Sequence, residues 1–225
     1  PTEGEGTGEG LWQIPVCRGE YLIADPGYSN VVGIGSVALA GAYVLVRLNQ
    51  GAVRLLDAQG RRLELLPKLE RLQRPLQVGS CDVTLADEKT PVAGRVCAIR
   101  KTHTAIVQAQ RKLQQEARKD GRELKAETLE YAKFVTVFTT FPVGEFSAVE
   151  ALQWYRVRWQ VELVFKRFKQ IAGLGHLPKY DEQSARAWLY GKLVVVLLTE
   201  KLVQHASTLS PWGYELSTMH AQSLA

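Results

Sequence analysis

The fold class turns on the stretch Glu20-Tyr-Leu-Ile-Ala-Asp25-Pro-Gly-Tyr-Ser-Asn-Val-Val-Gly-Ile-Gly-Ser-Val-Ala-Leu-Ala-Gly-Ala-Tyr-Val-Leu-Val-Arg-Leu48. Its opening, Glu20 to Asp25, is a short apolar strand that ends in a carboxylate, and Pro26-Gly27 then turns the chain. Ser29 to Ala40 follows as a helix capped at Ser29 or Asn30, with Gly33 and Gly35 as weak positions inside it. Ala42 to Leu48 has the composition of a second strand. Strand, helix and strand in that order predict a parallel sheet in an α/β fold.

Working outward, residues 1–15 read as a flexible lead-in, and residues 16–50 as the core segment just described. From 51 to 101 short β-like runs recur (Val53 to Leu56, Arg62 to Leu65, Leu76 to Val78, Cys81 to Leu85, Val92 to Ile99), separated by Gly, Asp, Pro and Lys. They predict a β-rich, antiparallel insertion. Residues 102–206 form a second core segment: a polar helix from His103 to Gly121, a strand from Lys133 to Thr140, a long helix from Ala148 to Ile171 capped by Ser147, and a helix from Glu182 to Ala206. Residues 207–225 read as a tail. The glycines of Gly33-Ile-Gly-Ser36 fall inside a helix with no following Lys, which favours packing on the sheet over phosphate binding.

With 46% hydrophobic and 23% charged residues, the 225-residue chain has the composition of a globular domain with a sizeable core. The 28 Lys and Arg against 23 Asp and Glu leave a net charge of +5, too mild to identify a polyanionic partner unless the cations cluster. Cys17, Cys81 and Cys97 lack Cys-x-x-Cys spacing, and the four histidines are scattered, so neither a zinc site nor a disulfide framework is expected. Leu193 to Leu198 is the strongest apolar run. Charges bound it well short of the roughly 20 residues a membrane span needs, and it predicts a buried helix.

The chemistry concentrates in Trp154-Tyr-Arg-Val-Arg-Trp-Gln-Val-Glu-Leu-Val-Phe-Lys-Arg-Phe-Lys169. At roughly 100° per residue, Tyr155, Arg158, Glu162, Lys166 and Lys169 share one side of a helix. Val157, Val161, Val164, Phe165 and Phe168 gather on another, which is expected to be buried, and Trp154 lies toward that apolar side. A solvated surface stripe with a Glu162–Lys166 pair is the plain reading. One carboxylate among several cations, headed by a phenol, is also what phosphodiester chemistry uses: an acid for a divalent metal and bases for the flanking phosphates.

The spacing Tyr155-x2-Arg158-x3-Glu162-x6-Lys169 resembles the Tyr-Arg-Glu-Lys signature of DDE transposases of the insertion sequence four type. Asp25, after an apolar strand and before Gly27-Tyr28, resembles the second catalytic Asp of that family. The segments 42–48 and 134–140 are similar to its flanking strands, so the likeness runs from about Tyr21 to Leu202. It implies a ribonuclease-H-like catalytic core with a β-rich insertion, cutting insertion-sequence ends and joining them to target DNA with two Mg²⁺ or Mn²⁺ ions. Asp25 and Glu162 would be catalytic metal ligands, and Tyr155, Arg158 and Lys169 would contact DNA. Lys166 joins them on helix geometry alone. The resemblance further implies double-stranded DNA as partner, a homodimer, and a bacterial cytoplasmic, nucleoid-associated setting.

The family's first Asp has no counterpart, because no Asp precedes Asp25. The opening strands of the core are therefore expected to be missing, as in a truncated transposase, and residues 1–225 alone are expected not to cleave DNA. Pro26 stands where many relatives carry a basic residue. The alternative function is a non-catalytic remnant that binds DNA or a full-length transposase.

Overall fold

A computed structural model describes residues 10–48, 51, 53–87, 91–171, 173 and 181–208. The chain divides into two compact units, Pro1–Arg158 and Trp159–Ala225.

The first unit is built on one six-stranded mixed sheet. Strand β1 (Tyr21–Ala24) leads through helix α1 (Val31–Leu39) to β2 (Tyr43–Arg47), and the two strands pair in parallel, Ala24 opposite Val46. The strand–helix–strand order therefore holds, but the parallel sheet expected from it is confined to this one pair, because the following strands return antiparallel. Asn30 is the cap, its side chain accepting from the Gly33 amide at 2.7 Å. A β-carbon on Gly33 would stand 3.1 Å from that of Leu11, so this helical glycine serves close packing.

The strands expected between 51 and 101 continue the same sheet. They are β3 (Leu55–Leu56), β4 (Val78–Leu85) and β5 (Val92–Arg100), and with β6 (Phe134–Thr139) the strand order is β1-β2-β6-β5-β4-β3. All pairings other than β1–β2 are antiparallel. Two boundaries differ from the sequence reading. Leu76–Val78 and Cys81–Leu85 belong largely to one strand, because Gly79-Ser80 stays extended and pairs with β5. Arg62–Leu65 makes a single bridge, Leu56 to Arg62, before the short helix α2 (Leu66–Leu69) begins. Asp57 forces that return: its Oδ1 accepts from the amides of Gln59 and Arg61, each at 2.9 Å.

Period-two alternation divides the core between the two faces of the sheet. Val44 and Val46 of β2, Val96 and Ala98 of β5, and Phe134 and Phe138 of β6 are buried on one face with Ile34 and Val37 of α1. Leu45, Cys97 and Val137 point the other way and are buried with Phe141, Ala151 and Leu152. Both faces of the central strands are thus covered, which explains their nearly continuous apolar sequence. Helix α3 (His103–Lys119), ended by Gly121 at φ 61°, and helix α4 (Ala126–Tyr131) precede β6.

Helix α5 (Ala148–Ile171) opens with a reciprocal capping box. The Ser147 amide donates to Glu150 Oε2 at 2.8 Å, and the Glu150 amide donates to Ser147 Oγ at 3.2 Å. Hydrogen bonding to the carboxyl from the Ser147 side chain, and next from its amide, holds Glu150 below its ordinary range.

In the second unit, helix α6 (Glu182–Thr208) follows. The sequence reading predicts burial of its run Leu193 to Leu198, yet Val194, Val195, Leu197 and Leu198 are more than half exposed. Val157 and Val161 on α5 are likewise exposed, as is Trp154, which the apolar pattern assigns to the core. An apolar stripe states a demand for cover without naming what supplies it, and among the described residues that demand is unmet. The side chains of Val164, Phe165 and Phe168 lie outside the described residues. No helix among the described residues is long and apolar enough to cross a membrane.

Candidate active site

Asp25 directly follows β1, at the carboxyl end of the parallel pair, where open α/β sheets place their sites. Arg158, far away in the sequence, meets it there: its Nη1 lies 2.5 Å from Asp25 Oδ1. The Arg158 side chain is only 16% exposed and that of Asp25 46%, so the pair has a sheltered cation and a carboxylate still open to solvent. The Arg158 guanidinium also stands 5.5 Å from the centroid of the Tyr155 ring.

Tyr155 is the pivot of this arrangement. Its ring packs on the cluster of Leu45, Val137, Phe141 and Leu152, which fixes the first half of α5 to the sheet. Burial pushes its phenol above the ordinary tyrosine range, and the nearby positive charges of Arg158 and Arg47 oppose that shift. At neutral pH Tyr155 is therefore a neutral hydroxyl, able to donate to an anion.

A set of aromatic and polar contacts fixes the approach of α5. Tyr21 stacks on Tyr43 with centroids 4.9 Å apart, and Phe141 and Phe146 lie at 4.9 and 5.2 Å from Tyr21. The Tyr21 hydroxyl donates to Glu145 at 2.8 Å, and buried Arg95 donates to the Phe146 carbonyl. The loop that delivers α5 is thus fastened to β1, β2 and β5 just before the capping box.

Asp25, Tyr155 and Arg158 are brought together within the first unit. Glu162, Lys166 and Lys169 are exposed on α5 in the second unit. One neighbour of the first group is not singled out by the sequence motif. Arg47 follows Val46, the partner of Ala24, and so ends β2 beside the end of β1. A charged residue closing a buried apolar strand, in parallel register with a strand that ends in Asp, is the signal that could have found it. Among the described residues no group of three His, Cys, Asp or Glu side chains converges as a metal cage.

A parallel strand pair ending in Asp, met by the Tyr and Arg of a Tyr-Arg-Glu-Lys helix, defines the class. The family model described as Transposase DDE domain matches residues 7–198, and the chain belongs to that family. It is 31% identical over 199 residues to the putative transposase InsL for insertion sequence element IS186A of Escherichia coli K12, covering 85% of this chain and 53% of that protein. Identity and coverage are the same for the Escherichia coli transposase for insertion sequence element IS421. The transposase for insertion sequence element IS231F of Bacillus thuringiensis subsp. israelensis is 23% identical over 199 residues, covering 80% of this chain and 41% of its own length. The chain therefore spans about half the length of the relatives it matches. These relatives agree with a DDE transposase of the insertion sequence four type.

Proposed function

We propose that this chain supplies the second and third catalytic carboxylates, Asp25 and Glu162, of a transposase that cuts insertion-sequence ends and joins them to target DNA. The observation that carries this reading is the contact between Asp25 and Arg158. The resemblance picks out these two residues independently, from different parts of the sequence, and they lie 2.5 Å apart.

The donor chemistry suits a hard divalent cation: carboxylate oxygens, with no sulfur or imidazole called for. Asp25 and Glu162, with a third carboxylate, would hold two Mg²⁺ or Mn²⁺ ions, which activate a water or 3′-hydroxyl and stabilise the leaving oxygen when bound. The chain's own residues have separate tasks. Arg158 orients the Asp25 carboxylate and offers its guanidinium to a phosphate. Tyr155, kept protonated by burial, donates a hydrogen bond from the same side. Lys166 and Lys169 extend the positive stripe along α5 toward the flanking backbone of the DNA. The ribonuclease-H-like core, a homodimer on double-stranded DNA and a nucleoid-associated, cytoplasmic setting belong to the same reading, supported by the family. Residues 1–225 contain no Asp before Asp25, so they alone are expected not to cleave.

Duplex binding by the purified chain, followed over a salt series, tests this. Arg158→Ala and Lys169→Ala should weaken binding and flatten its salt dependence, while Glu162→Gln should not weaken it. Unchanged affinity in both basic-residue variants would overturn the assignment. Mn²⁺-dependent cleavage by residues 1–225, abolished by Glu162→Gln, would overturn the expected inactivity alone.

A further inference from the structure

Beyond the end of β2 the sheet opens into a groove of about 960 Å³, walled by the return after β3 on one side and by α3 and α4 on the other. Arg47, Arg54, Lys101, Lys112 and Lys125 are among the residues that line it. We infer that this groove is a second track for the DNA backbone, leading away from Asp25 along the β3 side of the sheet and gripping phosphates without reading sequence. The inference rests on the reading of the chain as a DNA-acting transposase component.

The charges of the groove are the first support. Three acids also line it, and two of them face a base. Glu64 pairs with Arg62 at 3.0 Å, and Glu116 lies 3.9 Å from Lys112. Among the described residues Arg47, Arg54 and Lys125 make no ion pair, leaving a net positive groove with Glu127 as its opposing charge. Lys101 is half-buried beside Arg47, and its Nζ donates to the Ala132 carbonyl at 2.7 Å. Burial, and next the charge of Arg47, pull its pKa below the ordinary lysine range. Two sheltered cations that repel one another gain when a polyanion enters.

Continuity with the catalytic side is the second support. Arg47 ends β2 beside Asp25, acts electrostatically on Tyr155, and lines the groove, so a strand contacting Arg158 can pass over Arg47. Small-ligand pockets are enclosed with few polar groups, whereas this open groove carries six basic and three acidic side chains around an apolar lining, which suits a polymer backbone.

The test compares the intact chain with the combined Arg54→Ala, Lys112→Ala and Lys125→Ala variant, using fluorescence anisotropy on labelled duplexes of unrelated sequence over a salt series. All three side chains are exposed, so the core is untouched, and circular dichroism checks the fold. With three phosphate-binding cations removed, the slope of log affinity against log salt should become shallower by about 2 to 3, equally for each sequence. An unchanged slope, with binding still weakened by Arg158→Ala, would overturn the groove and leave the transposase reading standing. A flattened slope in the triple variant without any effect of Arg158→Ala would support the groove and remove the assignment of Arg158. Absence of DNA binding by the intact chain would overturn both.

Discussion

Replacing Arg158 with Ala removes an ion pair, a cation–π contact and a packed aliphatic stem together, and the structure allows the sizes to be set. Exposed ion pairs contribute about 0.2 to 1 kcal/mol, whereas removing one partner of a buried pair costs about 3 to 5 kcal/mol. Here the cation is 16% and the carboxylate 46% exposed, which places the pair between those limits. A coupling of about 1 kcal/mol is expected for Asp25 with Arg158, and the contact with the Tyr155 ring adds about 0.5 to 1 kcal/mol. Together with the packing of its stem, Arg158→Ala should cost about 2 to 3 kcal/mol, and Asp25→Ala about 1 kcal/mol because that side chain is the more solvated. Urea unfolding of the parent, both single variants and the double variant closes the cycle. A coupling below about 0.3 kcal/mol, the scatter of independent sites, would refute the claim that Arg158 is held at Asp25.

Two further outcomes follow from the sheet. A β-carbon on Gly94 of β5 would stand 2.5 Å from Phe138 and 2.6 Å from the Thr139 carbonyl, so Gly94→Ala should destabilise by about 2 to 3 kcal/mol in the same assay. Gly79→Ala meets only the flexible end of Leu72 at 2.9 Å and should cost less; equal losses would contradict the packing described. Burial raises the Cys97 thiol from 9.0 to about 11, against the opposing charge of Arg95. A raised folded pKa contributes stability that is full below the unfolded value and is lost as pH rises through the folded one. Stability should therefore fall between about pH 9 and 11 from this group, and Cys97→Ala should reduce that fall. A thiol reagent at pH 8 should modify exposed Cys17 at once and Cys97 only on unfolding.

The parts of the molecule legible in the sequence are those in which local chemistry and burial agree. Asn30 caps α1, Ser147 and Glu150 box the start of α5, and β1, β2 and β6 are apolar runs between polar turns. The four-residue helix α2 is not legible because one turn carries no periodicity, and Arg62–Leu65 resembles a strand because its leucines alternate. Exposure of Trp154, Val157, Val161 and the α6 run is not readable either, since a pattern fixes which face is apolar but not what lies against it. The motif spacing points to Tyr155 and Arg158, and the apolar strand ahead of Gly27-Tyr28 points to Asp25, but neither points to Arg47. Only the parallel register of β1 and β2 places Arg47 beside Asp25.

The function proposed for the chain, drawn from its family, makes Asp25 and Glu162 ligands of the same divalent cations. Mn²⁺ binding to the chain, measured by electron paramagnetic resonance for the parent, Asp25→Asn, Glu162→Gln and the double variant, tests it most directly. Shared ligation predicts that each single substitution lowers the affinity by roughly tenfold or more, and that the double variant binds no more weakly than the weaker single one. Parent-like binding in both single variants, or two losses that simply multiply, would contradict it.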